Sequence, residues 1–223
     1  MRLPHHDMPK LEAPFERQEI DGRHVCIPKI KEGYRWVFTE SEAVEKLDGT
    51  NVSVEITGKH ISTIRNRLNL INIWQSGKIH FAEGILKAIE KGHFSEDRED
   101  GIYFGELIGE KLQGNPYKIQ GHLWLPLDVI KVKYTYKFWQ KDILPFLKDK
   151  TEEQIFEEVS SAFKGLWSLL KRRTIPTNES IKMDESLGFE GYAAEGIVFY
   201  SPNGEMAKLR RDMFAWFRGV AKQ

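Results

Sequence analysis

Between Val52 and Ile64 apolar and polar residues alternate on both sides of a Thr57-Gly58-Lys59 turn. A period of two broken by such a turn leaves little choice but an antiparallel hairpin with one face buried. The period then changes. Ile79, Ala82, Ile85, Leu86 and Ile89 fall on one helical face, with Ser76 as the expected N-cap and Gly92 as the stop. The segments Gly101 to Ile108 and His122 to Val132 return to apolar, aromatic and β-branched residues and read as two buried strands. Thr151 and Gln154 form a capping box, and an apolar stripe from Ile155 through Phe163 and Trp167 to Leu170 predicts a long helix ending at the basic Lys171 to Arg173. A last hairpin runs from Gly196 to Tyr200, through Ser201-Pro202-Asn203-Gly204, and back along Glu205 to Leu209. Strand runs broken by separate helices imply an α+β fold, and no Pro/Gly/Ser-rich linker divides residues 1–223, so one domain is expected.

Bulk properties exclude some classes and leave others open. The chain of 223 residues is 40% hydrophobic and has no apolar run near the roughly 18 residues of a membrane span, so no membrane partner is expected. Met1 to Lys10 contains His5, His6 and Asp7 where a signal peptide would be apolar, which points to an intracellular, cytoplasmic setting with the nucleus also open. The single cysteine, Cys26, rules out an internal disulfide and a multi-thiolate zinc site, and is read as a packing residue. The seven histidines show no metal-ligand spacing. Equal numbers of basic and acidic residues, 33 each, hide basic clusters at Lys131 to Lys141, Lys171 to Arg173 and Lys208 to Arg211. Such clusters permit phosphate binding but are more often solvated faces.

The segment Glu45-Lys46-Leu47-Asp48-Gly49-Thr50-Asn51 carries the chemistry. In an extended chain Lys46 and Asp48 share a face, and Gly49 permits a tight turn or the close approach of a ligand. A Lys-x-Asp-Gly match alone arises by chance in roughly one chain of this length in twenty. It gains weight from an ordered series: Arg65 after the first hairpin, Phe104-Gly105-Glu106, Glu195-Gly196-Ile197-Val198, and Lys208-Leu209-Arg210.

This series resembles motifs I, Ia, III, IV and V of the covalent nucleotidyltransferase superfamily of ATP-dependent ligases and capping enzymes. The Asp-Gly-Thr-Asn and Phe-Gly-Glu-Leu forms look most like its RNA ligase 2 branch. The resemblance implies a nucleotidyltransferase (ATP-grasp-like ligase adenylation) domain built on antiparallel sheets with flanking helices. It makes Lys46 the nucleophile that takes AMP from ATP in a phosphoramide bond, with the backbone near Glu45 against adenine and Asn51 near the ribose or phosphates. Arg65 matches the arginine that holds the nucleotide, with Arg67 allowed by a shifted register. Glu106 would bind the ribose hydroxyls, and Leu127-Asp128-Val129 matches a further strand, motif IIIa, with Trp124 the nearest ring for the base. Glu195 matches the metal-associated glutamate. Lys208 and Arg210 match a pair that is usually Lys-x-Lys; arginine keeps the charge but presents a planar fork.

The chemistry accounts for these residue types. A lysine attacks phosphorus only as the free amine, and at its reference pKa of about 10.4 an ordinary lysine is only about 0.1% neutral near pH 7.4. Cations around the amine favour its neutral form and stabilise charge on the α-phosphate as pyrophosphate leaves. Lys208, Arg210 and a bound Mg²⁺ (or Mn²⁺) are the expected cations, with Glu195 and phosphate oxygens sufficing for the metal. The resemblance then implies transfer of AMP to a 5′-phosphate and sealing to a 3′-hydroxyl on nicked or single-stranded RNA ends. Only 13 residues follow Arg210, so no separate C-terminal domain is expected, and a partner protein could supply the docking surface. The residues before Lys46 and the Thr151 helix are the candidates for gripping RNA. Rival readings are a DNA ligase, a GTP-using capping enzyme, and an inactive nucleotide- or RNA-binding module.

Overall fold

The structure, a computed structural model, describes residues 7–95, 97–170 and 193–217. It is mixed α+β with every strand pair antiparallel, and it divides into two compact units. One unit contains Leu47–Lys133 with the N-terminal ten residues, and the other contains Leu11–Lys46 with Tyr134–Gln223. In chain order the strands are β1 (Phe15–Ile20), β2 (Arg23–Ile30), β3 (Glu42–Lys46), β4 (Thr50–Thr57), β5 (His60–Asn66), β6 (Asn69–Leu70), β7 (Gly101–Gly109), β8 (His122–Pro126), β9 (Gly196–Tyr200) and β10 (Met206–Arg210). The helices are α1 (Ile79–Glu90), α2 (Leu127–Lys133), α3 (Leu144–Leu147) and α4 (Glu152–Lys164).

The Leu47–Lys133 unit is built on a five-stranded sheet in the order β6-β5-β4-β7-β8. The alternating pattern first seen at Val52, Val54 and Ile56 buries those three side chains on one face, and the β4–β5 hairpin turns through Gly58 and Lys59, both at positive φ. Helix α1 packs Phe81, Ile85 and Ala88 into the core. It comes so close that a Cβ on Gly84 would sit 2.2 Å from Leu107 Cδ1. Ser76 is not its cap: the helix follows Lys78, with no side-chain cap, and ends before Gly92 at positive φ. The expected strand from His122 to Val132 stops at Pro126, and Leu127–Lys133 is helical. Its β-branched residues favoured a strand, yet Asp128 in the first turn and Lys131 and Lys133 in the last suit a helix dipole.

The other unit pairs β1 with β2 and stacks β10-β9-β3 into a second sheet. Phe15, Phe38, Trp139, Phe163, Phe199 and Phe214 are fully buried in its core. Helix α4 begins with the expected capping box: Thr151 accepts from the Gln154 amide while the Gln154 side chain accepts from the Thr151 N–H. It ends earlier than the apolar stripe suggested, because Gly165 caps it after Lys164. Leu166 remains buried beyond the helix, and Lys171 to Arg173 lie outside the described residues. The β9–β10 hairpin forms as expected, with the Ser201 hydroxyl accepting from the Asn203 and Glu205 amides and Gly204 at positive φ. Cys26 is a buried packing residue, and burial pushes its thiol up to about 12, which leaves it unreactive at ordinary pH.

Candidate active site

The three-stranded sheet assembles one group of motif residues. Lys46 on β3 lies directly opposite Gly196 on β9, and Gly196 opposite Arg210 on β10; one step along, Val44, Val198 and Lys208 align in the same way. Residues facing one another across antiparallel strands share a face, as do residues two apart. Lys46, Lys208 and Arg210 therefore stand on one face, while Ala43, Ile197, Phe199, Ala207 and Leu209 fill the core behind it. Gly196 has a steric reason: a Cβ there would lie 2.1 Å from the Leu209 carbonyl oxygen and 2.8 Å from the Arg210 Cα. At the end of this row, Lys46 Nζ is 2.6 Å from Glu195 Oε2, with side-chain exposures of 23% and 11%. Arg210 Nε donates to Asp212 Oδ1 at 2.9 Å.

Glu45 points to the opposite side of β3 from Lys46. Its backbone N–H donates to the Tyr134 carbonyl at 2.8 Å. Its buried carboxylate accepts from the Ser168 hydroxyl at 2.5 Å and from the Leu169 and Leu170 amides at 2.6 and 3.1 Å. Burial pushes this carboxyl up to about 7, against the lowering pull of those hydrogen bonds. The side chain thus ties the strand bearing Lys46 to the 168–170 segment, a role that nothing local in the sequence signals.

A second group lies on the five-stranded sheet. Asn51 on β4 faces Glu106 on β7, and Ser53 faces both Arg65 on β5 and Phe104 on β7, so Asn51, Arg65, Phe104 and Glu106 share one face. Asn51 Oδ1 and Arg65 Nε are buried without a hydrogen-bond partner. Such orphaned atoms are uncommon in native proteins and suit a polar ligand. Arg67, the alternative to Arg65, sits at the β5–β6 turn with φ of 52°. Its side chain is 63% exposed and lies 3.6 Å from Asp7.

Trp124 stands opposite Leu107, which puts it on the other face of this sheet. It is fully buried, with its indole N–H on the Val52 carbonyl at 3.1 Å and its ring edge-on to Phe94. That leaves no ring face for a base, and the half-buried Phe104 is the aromatic on the motif face. Its spacing of two from Glu106 was the available signal. Gly49 is not at positive φ; an added Cβ there would lie 2.3 Å from the Leu107 carbonyl oxygen, so the motif glycine lets β7 approach.

Among the described residues no three His, Cys, Asp or Glu side chains cluster as a metal site. The Glu195 carboxylate beside Lys46 fits a magnesium-type ion held mostly by water and phosphate oxygens.

No curated protein sequence matches the chain. Solved structures of an RNA ligase from Naegleria gruberi are similar in part. One, with AMP and Mn, is 18% identical at a TM-score of 0.45 and covers 79% of this chain and 51% of that one. Another, with ATP and Mn, is 17% identical at 0.44, over 78% and 50%. A third, with AMP and Mn, is 16% identical at 0.45, over 93% and 61%. The chain thus spans roughly half to three-fifths of the length of those proteins. The family model for RNA ligases matches residues 39–216, a span that takes in Lys46, Arg65, Glu106, Glu195, Lys208 and Arg210, and on that match the chain belongs to the RNA ligase family.

Proposed function

We infer that the chain is an ATP-dependent RNA ligase that works through a covalent lysyl-AMP intermediate. The observation that carries this reading is Lys46 at the end of a sheet row, 2.6 Å from Glu195 and on the same face as Lys208 and Arg210, within an RNA ligase family match. Lys46 Nζ, as the free amine, attacks the α-phosphorus of ATP; a nitrogen–phosphorus bond forms, the bond to the pyrophosphate oxygen breaks so that pyrophosphate leaves, and the nitrogen gives up a proton to solvent. Lys208 and Arg210 face the charge that develops on the α-phosphate. A divalent ion at Glu195 supplies neutralisation of phosphate charge when bound. Glu195 is the residue that would hold that ion. Arg65 and Asn51 give their orphaned polar atoms to the nucleotide, Glu106 takes the ribose hydroxyls, and Phe104 in place of Trp124 offers a ring to the base. The AMP then passes to an RNA 5′-phosphate, and a 3′-hydroxyl displaces it to join the ends.

The test is incubation with α-labelled ATP and Mg²⁺, and separately with labelled GTP, followed by denaturation. Label from ATP is expected on the wild type and is absent in Lys46→Ala. Label from GTP alone would turn the reading to a capping-type enzyme. No label on folded protein free of prior AMP would turn it to an inactive binding module.

A further inference from the structure

Residues 56–82 contain no aspartate or glutamate, although the chain has 33, and they carry Lys59, Arg65, Arg67 and Lys78. The same stretch concentrates apolar exposure. Of the eight large hydrophobic side chains exposed among the described residues, Leu68, Leu70, Trp74 and Ile79 fall within twelve positions. Trp74 is 87% exposed, the most of any of them. Its backbone is nonetheless fixed: the Trp74 amide donates to Asn72 Oδ1 at 3.0 Å, and the Gln75 amide to the Asn72 carbonyl at 3.0 Å. An indole held out on a braced loop pays little entropy when it stacks.

Clustered exposed apolar residues mark an interaction surface, and the charge around them selects the partner. A purely apolar protein groove would gain nothing from Arg67 and Lys78 flanking these side chains in the chain, whereas a polyanion with flat aromatic faces would use both features. Arg67 is well exposed and only loosely engaged, at 3.6 Å from Asp7, so a phosphate can compete for it. We propose that the 67–79 segment is a landing surface for single-stranded RNA, with Trp74 stacking on a base and Arg67 and Lys78 meeting the flanking phosphates. The surface deepens the RNA ligase reading and rests on it for the choice of RNA.

The experiment is fluorescence anisotropy of the full chain with a labelled 5′-phosphorylated single-stranded RNA, over a salt series. Trp74→Ala is expected to weaken binding roughly 5- to 150-fold, the range for loss of one base–aromatic stack, and Trp74→Phe to retain most of it. Arg67→Gln with Lys78→Gln lowers the slope of log affinity against log salt by about 0.7 per lost phosphate contact. Leu86→Ala, an exposed apolar position on α1 outside the surface, serves as the control and binds as wild type. Trp74→Ala keeps the wild-type melting temperature, because so exposed a ring contributes little to the core. Wild-type affinity in Trp74→Ala, an equal loss in Leu86→Ala, or no binding of single-stranded RNA by the wild type overturns the proposal. Adduct formation on wild-type Lys46 is scored separately. Trp74-dependent RNA binding without an adduct keeps the surface and discards the ligase; an adduct with Trp74-independent binding does the reverse.

Discussion

Glu45 and Lys46 are sequence neighbours that a strand sends to opposite sides, one into the core and one to the motif face. The Glu45 carboxyl has a pKa of about 7 in the folded protein against an ordinary 4.5. Between those values the folded state binds more protons than the unfolded chain, so stability from this group is present in full below about 4.5 and is lost as pH rises through about 7. Glu45→Gln keeps the shape: its amide oxygen can accept from Leu169 and Leu170 while its NH₂ donates to Ser168. Thermal melts of Glu45→Gln should therefore show a flatter decline across this window than wild type, with up to about 3 kcal/mol at stake. An unchanged pH profile would mean that Glu45 titrates as an exposed carboxyl. The two arginines divide in the same way. Arg65→Ala should cut ATP labelling of Lys46 at least tenfold, and Arg67→Ala by less than about threefold, since only Arg65 leaves an orphaned guanidinium nitrogen on the motif face. Labelling kinetics of the two variants at subsaturating ATP decide it.

At the scale of elements, β9 is the strand whose composition leaves least room. Gly196→Ala drives a methyl into the Leu209 carbonyl, a backbone atom that cannot swing aside, so β9 and β10 must separate beside the Lys46–Glu195 pair. The variant is expected to lose adduct formation and to melt well below wild type; labelling at the wild-type rate would show that the strands can shift without harm. Thr151→Ala is milder. It removes one half of the α4 capping box, for about 1 kcal/mol and a fall of about 2–4 °C in Tm. The α4 cap was readable because all its parts lie within four residues. The end of that helix was not, since Leu166, Trp167 and Leu170 continue an apolar run that Gly165 interrupts. The same competition misled the reading of Leu127–Lys133, where β-branched residues are helical in a short segment after Pro126.

For the whole molecule, family membership and two compact units define the frame. A nucleotide that binds the folded chain alone raises its stability by mass action, about 2.7 kcal/mol at a hundredfold excess over Kd. With Mg²⁺, ATP should therefore raise the melting temperature of Lys46→Ala, which binds without reacting, and GTP should not. Equal shifts from both nucleotides would remove the base preference from the proposed function. Strand periodicity, turn residues, the α4 cap and the ordered motif series were legible in the sequence because each is local or depends only on order along the chain. Which motif residues share a face was not. Lys46 meets a carboxylate 149 positions away and Glu45 grips amides 124 and 125 positions away, while sheet register puts Phe104 on the motif face and buries Trp124 behind it. Register is set by the hydrogen-bond ladder and by which side of each sheet is buried, so it exists only once distant strands have paired.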